Sequence, residues 1–413
     1  MSNSSELQNV LYTEEDEFCE DLSTATTALP LIDTVDVTSL GRPFQRINHI
    51  RQFANDGAHD VAMPFQGTVQ LKGNLTGLGS SAAGAVPASD MVTFLGLLVG
   101  ADVTGLATGG TFTGGSATDP TTSMVNGVVA GGLVRGGQIA DGRVGGQWLA
   151  VNAHALSALD LLIAAAVAPA AADVLYSSRL VHPNESSPLF DQPRTFRMLV
   201  QTANGHFLCR GCFLTEFALT GLSPGEIPGW QATIGVAHVE STSTTFPSAT
   251  RPQRHAATPA VTGSLVMARA GSTIRRLESA RSFSMSFGFR GNGLVGTGGN
   301  FEGQLWQAAR RTPGDGTTID MVVDAEATGT NFWLDEAMSL ATGDPGYWQM
   351  LYTVSSLNGR AVGIYLPKLT LTGTMPTQIM DGGYNRVRLG FRALANDAGV
   401  SELQRSAWRI GFA

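Results

Sequence analysis

The chain has 413 residues, enough for two cores of about 150–220 residues each. Charged residues make up 15% of it and its net charge is −8, whereas an average protein has about 25% charged residues. Because phosphate binding needs a basic surface, this balance argues against a protein that grips DNA or RNA.

The amino-terminal residues 1–27 are acidic and rich in serine and threonine. They have too little apolar content to fold alone, which predicts a flexible acidic arm. The segment also lacks the positive start and the apolar core of a signal peptide. The most apolar long stretch, 156–175, contains Asp160, Pro169 and Asp173, so we expect no membrane-spanning segment.

Residues 28–240 predict a first β domain. The alternation in Phe65-Gln-Gly-Thr-Val-Gln-Leu-Lys-Gly indicates a strand. A Ser/Asp start followed by apolar residues at helical spacing predicts a short helix over 87–99. The Gly/Thr-rich insertion at about 100–147 is expected to form short strands and a projecting loop. The stretch 152–168 has helix-forming content.

Two stretches of the chain resemble each other. Residues 198–224 and 350–376 both contain a strand, an Asn-Gly turn, a second strand and a Leu-Thr-Gly-x-x-Pro break. Asn-Gly between alternating runs is the strongest short-range hairpin signal, because a type I′ turn needs positive φ at both central residues. We expect these turns at Asn204-Gly205 and Asn358-Gly359. Two matching antiparallel sheets in one chain favour an architectural role over a chemical one.

Residues 241–260 are rich in serine, threonine and proline and predict a linker. Residues 261–413 then repeat the order of the first domain, with a strand over 281–289, a short helix over 300–311, a strand over 319–326, a helix near Leu334 and the second hairpin. The predicted fold class is therefore mainly β. It consists of two tandem antiparallel domains of β-sandwich or barrel type, each with one or two short flanking helices.

A His-x-x-Cys-x-x-Cys sequence suggests a metal site at first sight. His206, Cys209 and Cys212 provide three ligands, but zinc needs a fourth and no second half-site exists. Neighbouring strand residues point to opposite faces, so these side chains are not expected to converge. Buried thiols are the favoured interpretation.

Two further motifs resemble catalytic or cofactor signatures. Gly291-Asn-Gly-Leu-Val-Gly matches the dinucleotide-binding pattern, but the preceding strand alternates and no βαβ unit follows. Gly221-Leu-Ser-Pro-Gly matches a nucleophile elbow, but prolines and glycines after the serine forbid the required helix, which predicts a turn. The sequence therefore predicts no catalytic, cofactor-binding or metal-binding residue, and no enzyme.

Three carboxylates share one side of the strand predicted over 319–326. Asp320, Asp324 and Glu326 have the same parity, and apolar residues take the other face. An ordinary solvated strand face is the favoured interpretation. The alternative is that these residues are lumen-facing and line a channel, where like charge would keep DNA from sticking.

The order of strand, glycine turn, short helix, linker and terminal hairpin resembles the tail tube proteins of long-tailed bacteriophages. The resemblance covers most of the chain, and the insertion at 100–147 departs from a minimal tube domain. The sequences that carry it are Cys212-Phe-Leu-Thr-Glu-Phe-Ala-Leu-Thr-Gly, Leu29-Pro-Leu-Ile-Asp, Phe65-Gln-Gly-Thr-Val-Gln-Leu-Lys-Gly and the helix ending in Leu97-Leu-Val-Gly.

The resemblance implies a structural virion protein of the phage tail, assembled in the host cytoplasm and without cofactors. Six tube domains form a ring, and rings stack into a tube around the tape-measure protein, with tail terminator and baseplate proteins as further partners. Genome DNA passes through the bore without specific binding. With two tube domains per chain, three subunits would complete a pseudo-sixfold ring, and six subunits per ring is the alternative.

Other functions fit the same β architecture. The chain could be another phage structural protein, such as a baseplate, fibre or capsid-decorating protein. It could also be a receptor-binding β-sandwich that uses the 100–147 insertion as its contact surface. Under the tail tube interpretation, the amino-terminal arm is expected to bridge adjacent rings.

Overall fold

The protein is described here from a computed structural model. In the described part of the chain nearly all regular structure is strand, which confirms the predicted mainly β fold. The described residues are 9–19, 27–28, 32–40, 44–48, 58–62, 67–75, 90–99, 101–106, 110–122, 133–136, 147–155, 158–163, 168–176, 178–183, 193–202, 205–223, 225–242, 264–269, 275–287, 289–295, 306–313, 316–324, 333, 347–355, 361–372, 377–381, 384–396, 399 and 401–413.

The elements fall into two groups on either side of the predicted linker. The first group comprises β1 (Asn9–Glu14), β2 (Thr27–Ala28), β3 (Ile32–Asp36), β4 (Phe44–Asn48), β5 (Ala58–Ala62), β6 (Thr68–Asn74), α1 (Asp90–Val99), β7 (Ala101–Leu106), β8 (Gly110–Gly115), β9 (Pro120–Thr122), β10 (Leu133–Gly136), β11 (Gln147–Ala155), β12 (Ala158–Leu161), β13 (Val174–Tyr176), β14 (Ser178–Pro183), β15 (Phe196–Thr202), β16 (Gly205–Thr220), β17 (Gly229–Gly235) and β18 (His238–Thr242). The second comprises β19 (Ser264–Arg269), β20 (Arg275–Phe287), β21 (Phe289–Val295), β22 (Trp306–Pro313), β23 (Thr317–Asp324), β24 (Trp348–Ser355), β25 (Val362–Leu371), β26 (Thr377–Asp381), β27 (Tyr384–Ala393), α2 (Glu402–Arg405) and β28 (Arg409–Phe412).

Strands of the first group form a path of antiparallel pairs, which we call the first circuit. β1 pairs with β15, β15 with β16, β16 with β17, β17 with β6, and β6 with β3. β2 pairs with β1 and precedes β3 in the chain, so the path returns to β1 through chain succession, and no pairing of β2 with β3 is present among the described residues. Val69 and Leu71 of β6 are buried while Gln70 and Lys72 are exposed, as the period of two predicts.

The second circuit is built in the same order. β19 pairs with β24, β24 with β25, β25 with β27, β27 with β23, β23 with β20, and β20 returns to β19. β28 pairs with the first half of β25, as β18 does with the first half of β16. A two-stranded hairpin is inserted at the same point of each circuit: β4–β5 lies between β3 and β6, and β21–β22 lies between β20 and β23.

The two circuits are joined by hydrogen-bonded strands. Residues 217–219 of β16 pair with 285–287 of β20, and β14 pairs with β28. The rings of Phe217 and Phe287 are 5.1 Å apart across this junction. Buried side chains of both circuits belong to one hydrophobic core. The segments predicted as separate domains, 28–240 and 261–413, therefore share both a sheet and a core.

One aromatic side chain packs into each circuit. It comes from the segment after β6 in the first circuit and from the segment after β23 in the second. Phe94 of α1 lies 5.3 Å from Trp230 of β17, and the helical residue Trp333 lies 5.9 Å from Phe391 of β27. Trp230 stands opposite Leu219, and Phe391 stands opposite Leu371; each leucine begins a Leu-Thr-Gly sequence. The helix predicted over 87–99 is confirmed for Asp90–Val99 as α1, and its apolar side chains are buried in this core; residues 87–89 lie outside the described residues.

The Gly/Thr-rich insertion at about 100–147 contributes β8, β9 and β10 to a small closed barrel, and residues 147–176 contribute β11, β12 and β13. The barrel has the strand order β10-β11-β12-β9-β8-β13. It lies between β7 and β14, which pair with each other. Trp148 of β11 packs on the backbone of β25 and β28, because a Cβ added at Gly363 or Gly411 would lie 2.6 Å from its ring. The expected short strands are present, and the barrel packs against the second circuit. The expected projecting loop stays a prediction, because residues 123–132 and 137–146 lie outside the described residues.

Two predicted helices are wrong. The stretch 152–168 contains the end of β11 and all of β12, which pair with each other, and the stretch 300–311 contains most of β22, which pairs with β21. Both stretches have helix-forming composition. Cross-strand pairing and burial outweigh that propensity, which amounts to only a few tenths of a kcal/mol per residue.

The prediction of a flexible acidic arm over residues 1–27 is wrong for 9–19. β1 pairs along its whole length with β15, from Asn9 opposite Gln201 to Glu14 opposite Phe196. Val10, Leu11 and Tyr12 are buried. A short apolar run within an acidic segment was sufficient for a strand because a partner edge was available elsewhere in the chain.

The first predicted hairpin is present as the pair β15–β16. Thr202 stands opposite Gly205, so Gly205 belongs to β16; residues 203 and 204 lie outside the described residues. The second hairpin pairs β24 with β25, and its Asn358-Gly359 turn lies outside the described residues. Residues 243–260 of the predicted linker also lie outside them, and 241–242 belong to β18.

Candidate functional site

The outward face of β23 contains two of the three predicted lumen-facing carboxylates. Buried and partly exposed residues alternate along this strand, which places Asp320 and Asp324 on the same face, as predicted. Glu326 lies outside the described residues. No contact or distance relates this face to a bore, so lumen placement stays a prediction.

Arginines of the neighbouring strands pair with both aspartates. Arg388 of β27 donates from Nε to Asp320 Oδ1 at 3.0 Å. Asp324 lies between Arg281 of β20 and Arg386 of β27, with Nε–Oδ distances of 2.6 Å and 3.3 Å. Antiparallel pairing brings these strands to the two sides of β23 and so explains the contacts. The carboxylates are thus held in ion pairs on a sheet surface.

This sheet surface is of mixed charge, so the expectation of like negative charge is wrong for the described side chains. A further arginine, Arg392, is exposed on β27. The outward ionisable side chains that the structure describes on β20, β23 and β27 are Arg281, Arg386, Arg388 and Arg392 against Asp320 and Asp324. The spacing of the aspartates along β23 could not predict this mixed charge, because the arginines come from β20 and β27, which are remote in sequence.

A buried carboxylate ties the amino-terminal segment to β16. Glu15 is 6% exposed. Its Oε1 accepts a hydrogen bond from the Gly211 amide at 3.0 Å, and its Oε2 accepts one from the Cys19 amide at 3.2 Å. Burial raises the pKa of Glu15 to about 6, against the lowering effect of these amides and of Arg197. The sequence did not single out Glu15, because Glu15 lies in an acidic run whose composition predicts a solvated segment.

The three cysteines are buried free thiols, as predicted. Burial raises the pKa of Cys19 and of Cys209 to about 12 and that of Cys212 well above its usual value. The argument from alternating faces was wrong, since Cys209 and Cys212 both lie in the core. Gly211 between them has a φ of +57°, which interrupts the alternation as a bulge does. No group of three or more potential metal ligands occurs among the described residues.

We expect Glu15 to make the protein less stable as pH rises from about 4.5 to 7. The folded protein holds a proton on Glu15 up to a pKa of about 6, whereas the usual value is 4.5. Folding therefore takes up a proton within this window, and the free energy of unfolding falls by about 2 kcal/mol as the pH rises through it.

Urea unfolding of the wild type and of Glu15→Gln at several pH values measures this effect. The substitution should remove about 2 kcal/mol of pH dependence, while the exposed control Glu17→Gln should leave it in place. An unchanged profile in Glu15→Gln would show that Glu15 titrates normally in the folded protein.

A cleft of about 710 Å³ lies beside Glu15. It is bounded by residues 14–18, by the segment 193–195 before β15, and by the β21–β22 hairpin of the second circuit. Arg194 on its rim pairs with Glu14 at 3.2 Å. Its apolar lining consists of Phe18, Pro193, Leu294, Ala308 and Ala309. No motif in the sequence indicated this cleft, because its walls come from three distant segments.

The two glycine motifs have structural roles. Residues 291–295 of the Gly-x-Gly-x-x-Gly sequence lie within β21, and a Cβ at Gly291 would lie 1.9 Å from the Leu214 carbonyl oxygen. The glycine allows the β21–β22 hairpin to approach β16. The Gly-x-Ser-x-Gly sequence forms a turn, as predicted, with Glu226 donating its amide to Ser223 O at 3.1 Å.

Comparison with protein-family models and with curated protein sequences finds no match for this chain. Within the described residues, no helix has the length and apolar character needed to cross a membrane.

Proposed function

We propose that this protein is a structural virion protein that assembles into stacked rings and forms a bacteriophage tail tube. The observation that supports the proposal most directly is the pair of circuits with the same strand order, joined in tandem. A chain that contains two copies of one architectural unit is suited to building a larger repeat from few subunits. We infer that each circuit represents one tube domain.

The junction between the circuits supports assembly by repetition. β16 of the first circuit already accepts β20 of the second at its edge, so the two units associate side by side through strand pairing and a shared core. Head-to-tail contacts of this kind between chains produce a closed ring when the rotation is complete. Three chains with two units each would give a pseudo-sixfold ring, and six chains per ring is the alternative.

In this proposal the protein acts through its shape and carries no reaction. Its partners are other copies of itself, the tape-measure protein within the tube, and the terminator and baseplate proteins at its ends. Genome DNA passes through without specific binding. The location is the virion tail, after assembly in the host cytoplasm. In this proposal the small barrel, which packs against the second circuit, is a decoration on the tube.

Electron microscopy of the purified protein at rising concentration tests this function. We expect rings and hollow tubes of uniform diameter, and an end-on projection should show threefold or sixfold symmetry. The mass per ring then separates three chains from six. A protein that stays monomeric at every concentration, or that forms only trimeric rods, would contradict the proposal and favour a fibre or receptor-binding protein.

The placement of Asp320 and Asp324 in the bore has its own test. We expect virions carrying Asp320→Arg and Asp324→Arg to eject DNA at least about tenfold more slowly, because added cations would hold phosphates as they pass. The variant Asp320→Asn with Asp324→Asn also breaks the ion pairs but adds no cation. Normal ejection by the arginine variant in intact tails would place this face outside the bore.

A further inference from the structure

One continuous row of paired residues crosses the sheet that the two circuits share. Four strands of each circuit contribute to it, and all neighbours in the row are antiparallel register pairs. In order across the sheet, this central row consists of Ile32, Gly73, Trp230, Leu219, Met285, Ile319, Phe391 and Leu371. The central row therefore begins on β3 of the first circuit and ends on β25 of the second.

The two halves of the central row are built alike. Leu219 and Leu371 each begin a Leu-Thr-Gly sequence, and each stands opposite an aromatic residue. Ile32 and Met285 each lie on the strand that precedes an inserted hairpin. Leu219 thus corresponds to Leu371, and Ile32 corresponds to Met285. Because Leu219 stands opposite Met285, the junction between the circuits joins the last strand of one half-row to the first strand of the other.

The two outer strands of the row offer the same pair of edges a second time. The register pairs of β3 that the structure describes are all with β6. β24 follows β25 only as far as Leu369, which stands opposite Trp348, and the described register pairs of Thr370 and Leu371 are with β27. An unpaired strand edge is a template for pairing with another chain. One chain therefore presents, at the two ends of the row, the two kinds of edge that are joined at its centre.

We propose that β25 of one copy of this chain pairs antiparallel with β3 of the next copy, in the register of the internal junction. The inference rests on the proposed function, because it names the contact through which the subunits assemble. Leu371 would then stand opposite Ile32, and main-chain hydrogen bonds would extend the sheet from copy to copy. The two edges are different surfaces, so the contact is heterologous and continues until the last β25 meets the first β3.

A neighbouring row fixes the register of the outward-facing residues. None of its side chains is buried, and its members in order are Thr34, Lys72, Gln231, Ala218, Ser286, Thr318, Arg392 and Thr370. At the internal junction Ala218 stands opposite Ser286. The equivalent pair between two copies is Thr370 of one and Thr34 of the next. Both positions accept a substitution without disturbing the core.

Cysteine cross-linking tests this register. Residues opposite each other on antiparallel strands have Cα atoms about 4.5–5.5 Å apart, within the range of about 4.4–6.8 Å that a disulfide accepts. Mild oxidation of assembled Thr34→Cys/Thr370→Cys protein should therefore give a ladder of covalent oligomers on a denaturing gel. An equimolar mixture of the two single variants should stop at dimers. The native cysteines are buried and should not contribute.

Two further cysteine pairs serve as matched controls. Ala218→Cys with Ser286→Cys places the equivalent pair inside one chain, so the same oxidation should close a disulfide within the monomer. Thr34→Cys with Thr318→Cys is out of register, because Thr318 already has a paired strand on each side, and it should give no ladder. Under reducing conditions all these outward variants should unfold nearly as the wild type does.

The outcomes separate this contact from the proposed function. If the wild type forms rings or tubes and the internal control closes, but Thr34→Cys/Thr370→Cys gives no ladder, the contact is wrong and the proposed function stands. A ladder without hollow tubes in electron microscopy would support the contact and contradict the tube. A ladder of equal strength from the Thr318→Cys control would overturn the register. If the wild type does not assemble and no ladder forms, both proposals are overturned.

Discussion

Replacement of Trp333 by alanine should lower the free energy of unfolding by about 3–5 kcal/mol, the usual cost of removing a buried aromatic side chain. Trp333 is 1% exposed, and its ring lies 5.3 Å from Trp348 and 5.9 Å from Phe391. The cavity would open between the chain segment after β23 and two strands of the second circuit.

Phe94→Ala is the counterpart in the first circuit. Phe94 is fully buried and lies 5.3 Å from both Tyr12 and Trp230, so we expect a loss of about 3–4 kcal/mol. Urea unfolding followed by tryptophan fluorescence measures both variants, and Leu294→Ala serves as an exposed control expected to change stability by less than about 0.5 kcal/mol.

The shape of these unfolding curves tests how the circuits are coupled. Because they share strand pairs and one core, each variant should still unfold in a single transition that moves to lower urea. Two separated transitions, with Trp333→Ala affecting only one, would show that the circuits fold independently. A loss below about 1 kcal/mol in both variants would contradict the packing described here.

Replacement of Trp148 by alanine should release the small barrel from the second circuit. Trp148 is 2% exposed, and its ring fits against the bare backbone at Gly363 and Gly411, where an added Cβ would lie 2.6 Å away. The expected loss is about 3–5 kcal/mol. It should appear mainly as local opening, since this cluster is separate from the core that joins the circuits.

Hydrogen exchange locates that opening. In Trp148→Ala, protection should fall in β10, β11 and β12, while the amides of β23 and β27 should keep wild-type protection. Gly363→Val fills the same contact from the other side and should produce the same pattern.

The double variant should lose less free energy of unfolding than the sum of the losses in the two single variants, because both substitutions remove the same contact. Leu162→Ala, at the edge of the same cluster, is the matched control. Additive losses would show that Trp148 and Gly363 are not in contact.

Local sequence patterns predicted the strands whose one face is buried. β23 alternates between buried and partly exposed residues along its whole length, and the alternation in the sequence indicated this strand and the shared face of Asp320 and Asp324. The hairpins β15–β16 and β24–β25 were also predicted, because their signals are local. Residues two apart on a strand lie on one face whatever the rest of the chain does.

Non-local pairing decided the rest of the candidate site. The arginines that pair with Asp320 and Asp324 come from β20 and β27, and no local pattern shows which strands will be neighbours. Glu15 is buried because β1 pairs with β15, which lies far along the chain, with Glu14 opposite Phe196. The helices expected over 152–168 and 300–311 were lost for a different reason, because these stretches form the local hairpins β11–β12 and β21–β22, where pairing and burial outweigh helix propensity.

By itself, the sequence determined that this protein is mainly β, contains two similar hairpins and has no recognisable catalytic motif. Only the tertiary structure decided that the two halves share a sheet, that the insertion contributes strands to a barrel packed against the second circuit, and that a cleft opens between the amino-terminal segment and the β21–β22 hairpin. Hydrophobic periodicity is set by neighbours along the chain, whereas a strand edge, a cleft or an ion pair exists only after distant segments have met.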